Sequence, residues 1–308
     1  MIHSKSHPII VLGVERSGTS VVAEMLHRWG AYAGPSEMLH KADAHAPRGY
    51  WEFLPLWDLL AELGDFDAGA TWWDSDFQQR IKKKAADSAY RQKAIELMVE
   101  MDKGGPWFWK DPALSHFLPF WKQIWGDAVY IITVRNPLDA AISWQQFIMP
   151  ANVPVRISFI AMNLLRWQHI MMLILQHTED AQYRLFLGYE DIVRQPHVQA
   201  EKLACFLNSK FGKRVSSIQA MVDAVEPQLW RNNCDIPFEQ IAEATSEQIA
   251  LYAFARRKID NSLEPFEVTK YPLPPGYLEF LNVQEALLKT YRELEHQRTT
   301  TTQSLHRT

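Results

Sequence analysis

An apolar run, Ile9 to Leu12, opens directly onto Gly13-Val14-Glu15-Arg16-Ser17-Gly18-Thr19-Ser20. Beyond that loop, Val22, Met25, Leu26 and Trp29 fall at i, i+3, i+4 and i+7, the stripe of an amphipathic helix. Strand, glycine-bounded loop, helix is how a backbone cradles a phosphate, because loop N–H groups and a helix N-terminus converge on the anion.

Downstream, strands alternate with helical segments. Trp107 to Trp109 reads as a short strand ending in Lys110-Asp111-Pro112, Val129 to Val134 as a β-branched buried strand, and Arg184 to Leu187 as a fourth. Helices are predicted over Trp51–Leu63, Phe77–Met101, Ser158–His177, Val198–Leu207, Phe238–Lys258 and Leu278–Gln297. Another runs to about Phe147, with Asn136 as its cap and Pro137 at its first position. Residues 35–50 and 64–76 read as loops, and Lys82-Lys83-Lys84 as a solvated helix face. This alternation implies βαβ units: a single α/β domain over residues 1–298, a central parallel sheet flanked by helices, and a polar, frayed tail at 299–308. Ligands of such sheets bind beyond the carboxyl ends of the strands, where the loop, Lys110, Arg135 and Tyr189 all fall.

The bulk numbers exclude several classes. A length of 308 residues with 47% hydrophobic content is ample for one core. A net charge of −4 argues against a nucleic-acid partner. No stretch reaches the length of a membrane span, and the first apolar run leads into the loop, so it is not expected to be a signal peptide. The two cysteines, Cys205 and Cys234, have neither metal nor redox spacing, which suits a reducing cytoplasm; no metal site is expected. With 12 Trp and 15 Phe the chain is Trp-heavy; most of these are expected in the core and a few along an apolar acceptor pocket. Oligomeric state is not legible.

The loop fits the register of the nucleotide-binding G-x-x-x-x-G-K-[ST] motif except that Thr19 stands in the lysine slot, while Arg16 lies inside the loop. A kinase or ATPase would lose the lysine that reaches its β- and γ-phosphates; a protein gripping a phosphosulfate would not need it there. Together with Trp109-Lys110-Asp111-Pro112, Thr133-Val134-Arg135-Asn136-Pro137 through Ser143, and Leu187-Gly188-Tyr189-Glu190-Asp191, the loop resembles the sulfotransferases that use 3′-phosphoadenosine 5′-phosphosulfate, PAPS. The resemblance runs from Ile9 to Pro196, and the pairing of the loop with the arginine segment about 120 residues later is its most specific part.

The resemblance implies that Arg16, Ser17, Gly18, Thr19 and Ser20 hold the 5′-phosphosulfate, Arg135 and Ser143 the 3′-phosphate, and Tyr189 the adenine. Lys110 aligns with the lysine that contacts the sulfuryl group, and Arg16 shares that charge stabilisation. PAP would be the product, and the acceptor a small-molecule or carbohydrate hydroxyl or an amine. The family's frequent histidine two residues after the lysine is replaced by Pro112, so the base must come from elsewhere. Glu52, in Gly49-Tyr50-Trp51-Glu52, is the first candidate, with His45, His40, Asp111 and His116 as others. The family's C-terminal basic segment is absent; Arg231 or Arg256-Arg257-Lys258 would replace it. Asp139, Glu190 and Asp191 read as structural carboxylates. Two alternatives stay open: an ATP- and Mg²⁺-dependent phosphotransferase, and a nucleotide-binding module without turnover.

Overall fold

The structure, a computed structural model, describes residues 7–149, 159–212, 217–234 and 236–305. Ser158, where the sequence put a helix start, and residues 306–308 of the polar tail lie outside the described residues. In chain order, β1 (Ile9–Leu12) leads to α1 (Thr19–Trp29), followed by α2 (Leu54–Gly64), α3 (Phe77–Ala85) and α4 (Ser88–Met101). Then come β2 (Phe108–Lys110), α5 (Leu114–Trp121), β3 (Val129–Val134), α6 (Pro137–Ile148), α7 (Ile160–Thr178) and β4 (Tyr183–Gly188). The chain closes with α8 (Tyr189–Arg194), α9 (Pro196–Phe211), α10 (Ile218–Val222), α11 (Ser246–Ile259) and α12 (Tyr277–Leu305).

The four strands form one parallel sheet in the order β2-β1-β3-β4. Its strands are buried on both faces, and alternate residues feed two cores. Ile10, Leu12, Trp109, Ile132 and Phe186 face the core built with α2, α3, α5, α7 and α11. Ile9, Val11, Phe108, Ile131 and Leu187 face the core built with α1, α9 and α10. The chain leaves β1 toward one edge and β3 toward the other. The crevice between their carboxyl ends is therefore the point where strand order reverses, and ligands of open sheets bind there.

Of the element boundaries that differ from the sequence reading, three have a local reason. The expected 77–101 helix is broken by Asp87, whose side chain accepts from the Ala89 N–H at 2.8 Å and caps α4 as a separate helix. The expected 238–258 helix begins only at Ser246, where Thr245 and Gln248 form a reciprocal capping box. The expected helix at Trp51 starts at Leu54, because Trp51 is left-handed (φ 61°) and Phe53 extended. Glu52 is thereby left on an extended stretch, its carbonyl accepting from the His40 N–H at 2.8 Å. At the other end of the chain, α12 continues past Gln297 to Leu305, into the stretch the sequence assigns to a frayed tail.

Candidate active site

The loop after β1 is held from below. The Ser17 hydroxyl is 2.7 Å from the Thr133 hydroxyl of β3, and a Cβ on Gly13 would lie 2.1 Å from that Thr133 oxygen. The loop can hug the sheet only with glycine there. Ser17 is therefore turned inward: its hydroxyl, expected to face the donor, is committed to Thr133, and its N–H donates to the Val14 carbonyl at 3.1 Å. Gly18, in a left-handed conformation (φ 92°), begins α1 with no side-chain cap and no acid in the first turn. The positive end of that helix is left facing the cleft, which Gly18, Thr19 and Ser20 line.

The cleft, about 720 Å³, runs across the carboxyl ends of β1, β2 and β3. At one end stand Arg16, Arg135 and Arg231. Arg16 donates from Nε to the Ser143 hydroxyl at 3.1 Å and lies 5.3 Å from the Phe147 ring centre. Arg135 donates to the Arg16 carbonyl and the Asn232 carbonyl, both at 2.7 Å, and its buried Nε has no partner among the described residues. Arg231 donates to the Ala44 carbonyl at 3.2 Å. None of the three is ion-paired among the described residues. Burial above all lowers the pKa of Arg16, and the charges of Arg135 and Arg231 push it the same way. A dense, unneutralised cationic cluster of this kind is a site for an anion.

The sequence treats the loop and the Arg135–Ser143 pair as two separate grips; in the fold they interlock, since Ser143 serves Arg16 and Arg135 serves the Arg16 carbonyl. Tyr189 is the seat of this arrangement. Its ring lies 4.6 Å from the Arg135 guanidinium and presses on Gly18 so closely that a Cβ there would be 2.2 Å from Tyr189 Cδ2. Burial raises the pKa of the Tyr189 phenol.

At the other end, Lys110 ends β2 and Glu52 comes in from the extended stretch before α2. Lys110 Nζ donates to Glu52 Oε1 at 2.5 Å, in a pair whose lysine is buried. No donor reaches Glu52 Oε2 among the described residues. Asp111 lines the cleft beside this pair and accepts from the Ala113 N–H at 2.8 Å. Burial first, then the charge of Glu52, raise the Asp111 pKa to about 7, against that hydrogen bond and the charge of Lys110.

The remaining candidates divide. His45 lines the cleft with its ring edge-on to Phe147 at 5.1 Å, beside Arg16 and not in contact with Lys110. His40 also lines it, against Tyr50. His116 does not: it is buried in the core, stacked 5.4 Å from Trp72, and burial holds its pKa well below the ordinary value. Arg256, Arg257 and Lys258 are spent elsewhere, Arg256 on Asp191 at 3.1 Å, Arg257 on Glu264 at 2.8 Å and Lys258 on the Ser262 carbonyl at 3.2 Å. Of the two substitutes for the C-terminal basic segment, only Arg231 lines the cleft. Glu190 accepts from the Asn136 N–H at 2.8 Å and Asp139 from the Cys234 N–H at 2.8 Å, so both are structural.

Two features have no counterpart in the sequence reading. Glu15, inside the loop, pairs with buried Arg166 of α7, whose guanidinium lies 4.4 Å from the Trp144 ring centre and 5.0 Å from that of Trp73. Arg48 pairs with Glu24 of α1 and Glu226 of the segment after α10, tying two walls of the cleft together. The only local signal is the position of Glu15 within the loop; Arg48 and Glu24 are 24 residues apart, and the other partners 151 and 178.

No curated protein matches the chain. Among solved structures, it is similar to the sulfotransferase domain from the Synechococcus PCC 7002 olefin synthase (TM-score 0.47, 19% identity, 84% of this chain and 97% of that one). It is also similar to the sulfotransferase STF9 from Mycobacterium avium (TM-score 0.45, 15% identity, 91% and 76%). The sulfotransferase domain from the curacin biosynthetic pathway gives a TM-score of 0.43 at 13% identity over 84% and 99%. The sequence profile of the Sulfotransferase family matches residues 8–212, which span the loop, the Lys110 strand, the arginine segment and Tyr189; the chain belongs to the sulfotransferase family.

Proposed function

We propose that the protein transfers a sulfuryl group from PAPS to the hydroxyl of a small acceptor. The observation that carries this reading is the division of charge along one cleft: three arginines with no ion pair among the described residues on one side and the Lys110–Glu52 pair on the other. A donor with phosphate on two sides of an adenosine fits the first end. Arg16 and the α1 N-terminus would hold the 5′-phosphosulfate, and Arg135 and Arg231 the 3′-phosphate, with Arg135 Nε, which has no partner among the described residues, as one donor.

Glu52 would act as base. Oε2 takes the proton of the acceptor hydroxyl as its oxygen bonds to sulfur, and the bond from sulfur to the 5′-phosphate oxygen breaks with its electrons on that oxygen. Lys110 and Arg16 meet the charge that develops there. Positioning and charge stabilisation by fixed donors supply most of the rate in group transfers of this kind. Thr19 in place of the loop lysine tells against an ATP-dependent phosphotransferase.

Calorimetry with PAP, ATP and GTP, with and without Mg²⁺, tests the donor. Preferential binding of PAP without metal is expected, and a metal-dependent preference for ATP would refute the reading. Transfer of radiolabelled sulfate to an acceptor panel then separates an enzyme from a nucleotide-binding module.

A further inference from the structure

We propose that the acceptor is an uncharged alcohol with an extended apolar body, seated along a wall that runs from Phe147 through Trp144, Trp72 and Trp57 to Leu54. The proposal rests on the reading of Glu52 and Lys110 as the reacting end of the cleft, and it names what lies beyond them.

The wall is continuous. Phe147 and Trp144 are 5.6 Å apart between ring centres, the Arg166 guanidinium bridges Trp144 at 4.4 Å to Trp72 at 5.9 Å, and Trp72 meets Trp57 at 6.4 Å. All of these side chains line the cleft that holds the Lys110–Glu52 pair. The outer end is unusual for a protein surface: Leu54 and Trp57, one turn apart on α2, are each 39% exposed at the mouth. Large apolar side chains grouped at the rim of a deep cleft mark a place that something apolar covers.

Charge argues for a neutral occupant. The two cations on this side are each taken by a carboxylate, Arg166 by Glu15 and Lys110 by Glu52, with the Asp111 carboxyl beside the second pair. Beyond Phe147, which stands against Arg16, a carboxylate or phosphate on the acceptor would meet only cations that are already paired among the described residues. A sugar would need several side-chain donors and acceptors along its length. The wall offers Leu54, Trp57, Trp72 and Trp144, and the nearby Gln146 already accepts from the Asn232 amide at 3.1 Å. The polar groups along this wall are the Glu15–Arg166 and Lys110–Glu52 pairs, of which the second is placed to fix a single hydroxyl while the rest of the body lies in apolar contact.

The test uses the full chain saturated with PAP. Tryptophan fluorescence is titrated with 1-hexanol, 1-octanol, 1-decanol and cellobiose, and PAP affinity is measured separately by calorimetry on the same samples. Affinity should rise about three- to four-fold per added methylene from hexanol to decanol, with no saturable response to cellobiose. Trp57→Ser should lower decanol affinity roughly ten-fold and leave hexanol and PAP affinity within about two-fold; Leu54→Ser, also at the rim, should act in the same direction. A flat chain-length series, tighter binding of cellobiose than of decanol, or unchanged decanol affinity in both variants would overturn the proposal. Loss of PAP binding with the chain-length slope intact would strike the donor reading alone and uphold the apolar wall.

Discussion

Gly18→Ala gives the cleanest perturbation of the donor end, because two separable costs meet at one atom. The backbone at Gly18 has φ 92°, and the added Cβ would stand 2.2 Å from Tyr189 Cδ2 and 3.0 Å from Cε2. Gly30, at the other end of α1, has φ 110° and nothing within 4 Å of its Cβ position. Gly30→Ala therefore carries only the left-handed backbone cost, about 1–2 kcal/mol. Gly18→Ala carries the same cost plus overpacking of a buried ring, for a total of about 2–5 kcal/mol. At about 2 °C per kcal/mol for a chain of this size, melting should fall by about 2–4 °C in the first variant and 4–10 °C in the second. Function should separate them further. To admit the methyl group, Tyr189 must move, and with it the seat of Arg135. Losing one charge-assisted contact is worth about 1.5–3 kcal/mol, or roughly 10- to 150-fold in PAP affinity. Differential scanning calorimetry and PAP titration on both variants provide the comparison. Equal stability losses, or a Gly18→Ala protein that binds PAP like the parent, would refute the claim that Tyr189 transmits loop geometry to Arg135.

Other substitutions probe the rest of the cleft. Glu52→Gln should lower kcat by about 10²- to 10⁴-fold with PAP affinity within about two-fold, and full turnover would remove it as the base. Lys110→Met should cost about 10²- to 10³-fold, and the double variant should fall well short of the product of the two losses, because the side chains act as one pair; simple multiplicativity would contradict this. Arg231→Ala should weaken PAP more than adenosine 5′-phosphosulfate, and equal weakening would show that Arg231 does not meet the 3′-phosphate. Asp111→Asn should change the pH profile of stability: a carboxyl raised from 3.8 to about 7 keeps its full contribution below pH 4 and loses it as pH rises through 7. The parent minus variant difference in melting temperature should thus decline across that window. His169 and His177, lowered to about 4 by burial, act in the opposite sense in both proteins and cancel in the difference; a flat difference would place Asp111 in water.

What was legible in the sequence follows the range of the forces involved. β1, its loop and α1 are determined within about twenty residues, and their apolar runs, glycines and periodicity are visible there. The Asn136–Pro137 start of α6 is equally local, since Asn136 accepts from the Leu138 N–H at 2.9 Å. The positions of Lys110, Arg135 and Tyr189 at strand ends could be read because a parallel sheet gathers those ends. Contacts made in three dimensions were not legible. Nothing local says that Ser17 will turn to Thr133, that Tyr189 will carry Arg135, or that Glu15 will find Arg166. The hidden caps Asp87 and Thr245 are a different failure: their residue types were visible, but a strong helical pattern masked them.

The interlocking of the arginines bears on how such a cleft stays folded without its ligand. Three cations close together repel, and burial of Arg16 adds a desolvation cost. The fold meets this with neutral acceptors instead of carboxylates: Ser143 takes Arg16, backbone carbonyls take Arg135 and Arg231, and the faces of Phe147 and Tyr189 lie against Arg16 and Arg135. Carbonyl dipoles and ring faces stabilise a guanidinium without cancelling its charge. A carboxylate in any of those places would hold the arginine more tightly, but an incoming anion would have to displace it. The Lys110–Glu52 end is built the other way, around an ion pair, which suits the proton transfer from a neutral acceptor that we propose there. Replacing Ser143 with Asp therefore separates the two designs: it should stabilise the ligand-free protein through an Arg16–Asp pair and weaken PAP at least ten-fold. Melting and PAP titration of that one variant report both effects, and a variant that gained stability while keeping its PAP affinity would show that the unpaired arginines are not the anion grip.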